Sequence, residues 1–309
     1  MKLTLEGKVE DGYKRHFVIG AALDCLLTSP ERWNDDFVVV DIMAPSGLLG
    51  KFVDALPIGL TPTSAPEEYQ TAYEASGYKK GIEWAINYFW NNSEAVRYYN
   101  LKSADWGDAQ VLTTDMKRQV DKALELLQAN PFTYKYFYPT NNLEINHQIP
   151  IYFTYMGIEC KALLDGVIID NNKRTIQPFD LKSTSKSVYE FTNSFLTYGY
   201  YRQCAFYEQA LLSKDSPYRN LLDSGYKLLD YQFVVTETNI YSSRAAVIFE
   251  TRKEDRQCGL EGCRVNGSMY PGINSLIEDY LWHKEQNLWD LPRYLYRSQG
   301  IIHLNINYE

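Results

Sequence analysis

No run of eighteen apolar residues occurs in this chain, so no membrane-spanning helix is expected. Basic residues are in deficit. Lys and Arg total 31 against 39 Asp and Glu, a formal net charge of −8. Bulk attraction to a polyanion is thereby excluded, and any nucleic-acid contact must use a local basic patch. Histidine is sparse, and His16, His147, His283 and His303 form neither an H-x-x-H nor an H-E-x-x-H pattern, which argues against a zinc hydrolase. The five cysteines, Cys25, Cys160, Cys204, Cys258 and Cys263, are odd in number and mostly scattered, against a disulfide framework. Cys258 and Cys263 lie close together without further ligands nearby, so packing or a loop is expected there rather than a metal site. The first residues lack an apolar signal core, and the expected compartment is a reducing cytoplasm, bacterial or of an infected host cell. The segment APSGLLGKF (44–52) fails the Walker spacing, because Pro45 stands at the first Gly position and Phe52 follows Lys51, so ATP binding is not expected.

What the chain does contain is 309 residues, 45% hydrophobic and 23% charged, enough to build a sizeable core and to exclude wholesale disorder. Helical spacing of Phe17, Gly20, Leu23, Leu26 and Leu27 predicts a helix over 16–28, stopped by Pro30. FVVVDI (37–42) reads as a short strand. Residues 43–81, rich in Pro and Gly, read as an irregular insertion, and 82–99 as helical. A stripe of Met116, Val120, Ala123, Leu124 and Leu127 predicts a helix over 113–131. Strands follow at 147–155, 158–170 and 174–183, then a helix over 194–213, strands at 226–237 and 242–251, and a helix at 273–286. The order predicts one α/β domain over 1–309 with a mixed central β-sheet flanked by helices, a core at about 16–250 and a helical extension at about 252–309.

Charge interrupts the strand pattern at two places. Asp165 stands inside the apolar run ALLDGVIID. Asp180 and Lys182 flank Leu181 in IQPFDLKST, and strand alternation puts them on one face. The two acids lie 15 residues apart on strands joined by a short turn, so a hairpin sets them side by side. Paired carboxylates resist ionising unless a cation lies between them. Oxygen donors with a nearby Lys suit Mg²⁺ or Mn²⁺, and the Leu181 carbonyl adds a further oxygen. On the next predicted helix, Gln203 and Tyr207 are one turn apart and share a face. Taken singly, each of these is an ordinary surface pattern, and an exposed Asp-Lys pair is worth at most about 1 kcal/mol.

Taken together, the residues resemble the PD-(D/E)XK nuclease superfamily, in the branch of RecB-type nuclease domains, lambda-type exonucleases and RecE-like exonuclease (exonuclease VIII). That branch orders an acid or His on an early helix, a G-x-x-D strand, a (D/E)-x-K strand and Q-x-x-x-Y on the following helix. Here the order is matched by Asp165, then Asp180 and Lys182, then Gln203 and Tyr207. IGAALDCLL is similar to the RecE-like early helix, with Asp24 where that pattern has a metal-binding His. Glu144 matches a Glu that the family often carries before the first strand, with His147 and Gln148 as alternatives. The Gly of the G-x-x-D strand is absent upstream of Asp165, where Lys161 stands. The resemblance spans roughly residues 16 to 210.

The resemblance implies a restriction-endonuclease-like core and Mg²⁺-dependent (or Mn²⁺-dependent) hydrolysis of DNA phosphodiesters, as a double-strand exonuclease of phage or mobile-element recombination. One or two ions would be held by Asp24, Asp165, Asp180, the Leu181 carbonyl and Glu144. Lys182 would orient or deprotonate water or stabilise developing charge, and Gln203 and Tyr207 would position water or a backbone phosphate. Family members often work beside a single-strand annealing protein and form rings around DNA. Candidate phosphate contacts here are Lys186, Arg202, Lys173 and Arg174, with Lys79 and Lys80 further off. Two other readings differ in class: an endonuclease of the same fold, and a DNA-binding module without turnover.

Overall fold

The computed structural model describes residues 15–101, 104, 106, 108–139 and 142–302. His303 lies outside the described residues. The chain is α/β, with a mixed central sheet flanked by helices. The first helix among the described residues, α1 (Arg15–Thr28), buries Val18, Ile19, Ala22, Leu23 and Leu27, while Phe17 is left exposed. Strand β1 (Phe37–Val40) pairs in parallel with β2 (Gln110–Thr113). Between them lie α2 (Gly47–Ala55), α3 (Gln70–Ser76), α4 (Ile82–Trp90) and α5 (Ser93–Leu101). Residues 43–81 are therefore irregular only in part, since helices occupy Gly47–Ala55 and Gln70–Ser76 within them. Phe52, Val53, Tyr69 and Ala72 point inward with Ala85, Phe89, Tyr98 and Tyr99 to form a separate apolar core, and burying those aromatics offsets the weak helix propensity of the segment. The next helix, α6 (Thr114–Ala129), packs Met116, Val120, Ala123 and Leu127 against α1 and the sheet.

The main sheet is built from β3 (Leu143–Tyr155), β4 (Ile158–Asp170), β5 (Thr175–Thr184), the two-residue β6 (Lys227–Leu228), β7 (Gln232–Glu237) and β8 (Val247–Glu250). The order is β3-β4-β5-β7-β8, with β6 paired beside β5. Short turns at Met156–Gly157 and after Asp170 make β3, β4 and β5 antiparallel. The connection from β5 to β7 runs through α7 (Phe191–Thr197) and α8 (Tyr200–Leu212), long enough to bring β7 back parallel to β5. The helix expected over 194–213 is divided, because Gly199 adopts φ +73° between α7 and α8. The strand expected over 242–251 is shortened to β8, and that over 226–237 is split into β6 and β7.

The C-terminal extension is not all helical. After α9 (Lys253–Glu261) come the hairpin strands β9 (Gly262–Val265) and β10 (Ser268–Pro271), then α10 (Ile273–Gln286) and α11 (Arg293–Arg297). Cys258 on α9 and Cys263 on β9 are joined as a disulfide. The loop expectation for this pair is thus corrected: a helix end and a hairpin start place the two thiols in reach. Gly259 lets α9 lie directly on α8, since a Cβ there would stand 2.1 Å from the Tyr201 carbonyl oxygen.

The sheet has a fork. The β4–β5 ladder runs from Asp170 opposite Thr175 to Gly166 opposite Phe179 and stops. Beyond that rung β4 continues with β3, and β5 continues with β7. At the crotch, Gly166 accommodates the Phe179 ring, which packs across the strand; a Cβ on Gly166 would lie 2.0 Å from Phe179 Cζ. Gly166→Ala is expected to lower stability by roughly 2 kcal/mol through overpacking, measured by urea unfolding, and an unchanged midpoint would show that the ring can shift freely.

Candidate active site

The fork places the charged residues. Asp165 stands on β4 just past the last β4–β5 rung, and Asp180 to Lys182 stand on β5 where its partner has become β7. Alternation sends Phe179 and Leu181 to the α1 side, where both pack in the core with α1 and α6. Asp180 and Lys182 therefore turn to the α8 side. Asp180 is 1% exposed, accepts from Gln203 Nε2 at 2.7 Å, and pairs with the Lys182 ammonium. Lys182 also lies over the Tyr200 ring, 4.7 Å from its centroid.

Asp165 spans the gap between strands: its Oδ2 accepts from the Leu181 backbone N–H at 2.9 Å. This bond caps the rung that the fork has opened. It also makes Leu181 a donor toward Asp165 through its amide. From the α1 side, Asp24 takes a hydrogen bond from Gln148 Nε2 on its Oδ2 at 2.8 Å. Its other oxygen, Oδ1, is buried without a hydrogen-bond partner among the described residues. Asp24, Gln148, Asp165, Leu181, Lys182 and Tyr200 line one cleft of about 370 Å³.

A backbone irregularity in β3 serves this cleft. Gln148 has φ +50°, rare for a residue with a side chain inside a strand and costing on the order of 1–3 kcal/mol. The register on either side is unchanged, with His147 opposite Gly166 and Ile149 opposite Leu164, yet no rung joins Gln148 to Asp165. The alternation slips by one at this point on both strands. Val167 and Ile169 share a core with Leu164 and Ala162, three residues rather than two across the slip. As a result His147 and Gln148 both face the α1 side: His147 packs on Phe137 and Phe179, and Gln148 reaches Asp24.

Electrostatics follow from this crowding. Burial raises the Asp24 carboxyl to about 6, with Asp180 adding to the rise and the Gln148 hydrogen bond opposing it. Burial, then the charge of Asp180, pushes Asp165 well above the usual carboxylate range, with Lys182 pulling the other way. Burial likewise raises Asp180 against the pull of Lys182. Burial works against the Lys182 ammonium, but Asp180 and Asp165 outweigh it and hold the amine protonated beyond its ordinary range. The site is thus a cluster of carboxylates short of positive charge, with one firmly charged Lys.

The structure brings Asp24, Asp165, Asp180, Leu181, Lys182, Gln203 and Tyr207 to the fork. Tyr207 is half-buried on α8 and packs on Tyr231. Glu144 is not brought there. Before the slip, its side chain shares the opposite face with Asn146, which donates to it at 3.1 Å, and it is exposed. Gln148, the alternative at that place, takes the position beside Asp24. Lys173 and Arg174 are also left out. They sit at the β4–β5 turn, beyond the five rungs of that ladder and thus roughly 17 Å of strand from the acids, where Lys173 pairs with Asp170 and Arg174 binds the Ser224 carbonyl. Arg202 is engaged by the C-terminal extension, donating to the Pro271 carbonyl at 3.3 Å and lying over Tyr201. Lys186 is exposed on the loop that follows β5. Lys80 stacks on Trp84 in the separate helical core region.

Two residues at the site went unread in the sequence. Tyr200 lies three residues before Gln203 and seven before Tyr207, a helical stripe that spacing alone could have shown. Tyr231 is fully buried with its hydroxyl lacking a partner among the described residues, and burial and the nearby Asp180 push its pKa up. It follows LLD in sequence and carries no motif.

Among the described residues, no three His, Cys, Asp or Glu side chains converge tightly enough to share one ion as they stand. The donor chemistry nevertheless fits a hard divalent cation. All the donors are oxygens, and Asp24 Oδ1 is a buried carboxylate oxygen with no partner among the described residues. Among the described residues, no helix is long and apolar enough to cross a membrane.

No family model and no curated protein matches the chain. Among solved structures, it is similar to a crystal structure of a "Putative exonuclease" from Eubacterium rectale, at 10% sequence identity and a TM-score of 0.47, over 99% of this chain and 82% of the other.

Proposed function

We propose that this chain is a divalent-cation-dependent DNA nuclease that cleaves phosphodiesters, acting as an exonuclease on duplex ends. The observation that carries this reading is the fork. Strand pairing is broken at the point where Asp165, Asp180 and Lys182 stand, and Asp24 offers an unpartnered buried oxygen to the same cleft. A core built only for stability does not gather three carboxylates whose charge it must desolvate.

Asp24, Asp165, Asp180 and the Leu181 carbonyl would hold Mg²⁺ or Mn²⁺. A cation bound there lowers the pKa of water and offsets charge on the phosphate and the leaving oxygen. Lys182 supplies a second, permanent positive charge. Its raised proton affinity suits it to stabilising a developing oxyanion and to orienting water by donation, and not to removing a proton at neutral pH. Gln203 holds Asp180 by one oxygen, which leaves the other turned to Lys182. Lys186, exposed four residues after Lys182 on the loop that follows β5, would supply local attraction for a phosphate in a chain of net charge −8.

The test compares linear and covalently closed duplex DNA with Mg²⁺ or EDTA. Loss of linear DNA alone, abolished by EDTA, is the expected result. Nicking of circles would assign an endonuclease. Binding of DNA without loss of either substrate would remove the enzymatic reading.

A further inference from the structure

The left-handed residue inside β3 calls for an explanation that the fold does not supply. The strand pairs in one register on both sides of Gln148, so no residue is being inserted and no turn is being made. Glycine, the residue suited to φ +50°, is not used. What the irregularity achieves is local. Regular alternation would put Gln148 on the face occupied by Asn146, away from α1. The slip turns it through the sheet, and its amide meets Asp24 at 2.8 Å. Among the described residues Asp24 is thereby held by one carboxylate oxygen only, and the other stays buried and unpartnered at the cleft.

We propose that Gln148 is the positioning residue for Asp24: it fixes the carboxylate so that Oδ1 presents to a divalent cation in the cleft. The inference rests on the cation-dependent reading above. Gln148 acts through Asp24, as residues behind metal ligands do when they fix ligand orientation. The primary amide suits this task. Nε2 donates to the carboxylate without adding charge, so Asp24 keeps its negative charge for the ion. A Lys or Arg at the same place would compete with the cation, and a Glu would repel the ligand.

The test uses the full chain and Mn²⁺ alone, without DNA. Mn²⁺ affinity is measured by calorimetry for the wild type, Gln148→Gly and Gln148→Asn, with thermal midpoints recorded in EDTA. Gly relieves the backbone strain and removes the amide. Asn tolerates the left-handed conformation but is one methylene too short to reach Asp24. Both variants are expected to bind Mn²⁺ at least about tenfold more weakly, with a midpoint equal to or above that of the wild type. Unchanged affinity in both variants, or a lowered midpoint with unchanged affinity, overturns the proposal and leaves Gln148 a purely structural residue. A wild type that takes up no Mn²⁺ overturns the cation reading itself, and the role of Gln148 with it.

Discussion

Replacing Lys182 with Ala is expected to reduce DNA cleavage on the order of 10³-fold while DNA binding stays within a few-fold of the wild type. The reason is the position of the ammonium. Among the described residues it is the one side-chain cation in contact with the buried Asp180, and it lies in the cleft that Asp24 and Asp165 line. Removing it also leaves Asp180 buried without its counter-charge, which costs about 3–5 kcal/mol if the carboxylate stays ionised. Loss of activity in this variant alone would therefore be ambiguous. Lys182→Gln resolves the ambiguity, since it retains a donor for Asp180 and removes only the charge. Both variants should lose cleavage, and Lys182→Gln should lose less stability than Lys182→Ala, because its amide still donates to Asp180. Single-turnover cleavage of an end-labelled duplex, read beside filter binding, makes the comparison. Near-normal cleavage by Lys182→Gln would show that the charge is not used. The rate should also show no titration of Lys182 between about pH 6 and 9, because Asp180 and Asp165 keep it protonated throughout that range.

The second large effect concerns stability. Asp24 is expected to make the wild type less stable as pH rises, and Asp24→Asn to remove that dependence. Burial raises the folded-state pKa of Asp24 from 3.8 to about 6. Between those values the native state binds more protons than the unfolded state, so unfolding free energy falls with rising pH. The favourable contribution is complete below about pH 4 and is lost as pH passes 6. A shift of this size corresponds to about 3 kcal/mol at most, at roughly 1.4 kcal/mol for each unit. Asn keeps the shape and accepts from Gln148 as Asp does, but carries no charge to desolvate. Asp24→Asn is thus expected to be about 2–3 kcal/mol more stable than the wild type at pH 8 and equal to it near pH 4, measured by urea unfolding across that range. A difference that does not vary with pH would sink the argument. The variant should also lose the rise in midpoint that saturating Mn²⁺ gives the wild type, since a ligand stabilises only the fold that binds it. The same group would then be costly to the apo fold and required for the cation, the usual trade at a functional site.

Local sequence was informative wherever one periodicity held. The helix predicted over 273–286 is found at Ile273–Gln286, and the strand over 158–170 at Ile158–Asp170, because apolar spacing and flanking Gly or Pro set their ends. It was misleading over 43–81. There Pro and Gly punctuate short helices whose burial depends on aromatic partners from residues 82–101, which no local window contains. Glu144 shows a different limit. As a carboxylate near a strand it looked equivalent to a ligand, but which face it takes depends on where the alternation slips, and the slip lies four residues further on at Gln148.

By itself the sequence determined the residue types of the site and their grouping: Asp180 with Lys182 on one face of a strand, Gln203 with Tyr207 on one side of a helix. Both follow from fixed backbone periods of 2.0 and 3.6 residues. Only the tertiary structure decided that β4 and β5 part after Gly166, and that α1 delivers Asp24 to the gap from the opposite layer. Those outcomes are set by long-range pairing and by the packing of Phe179 against Gly166, and no residue encodes them on its own.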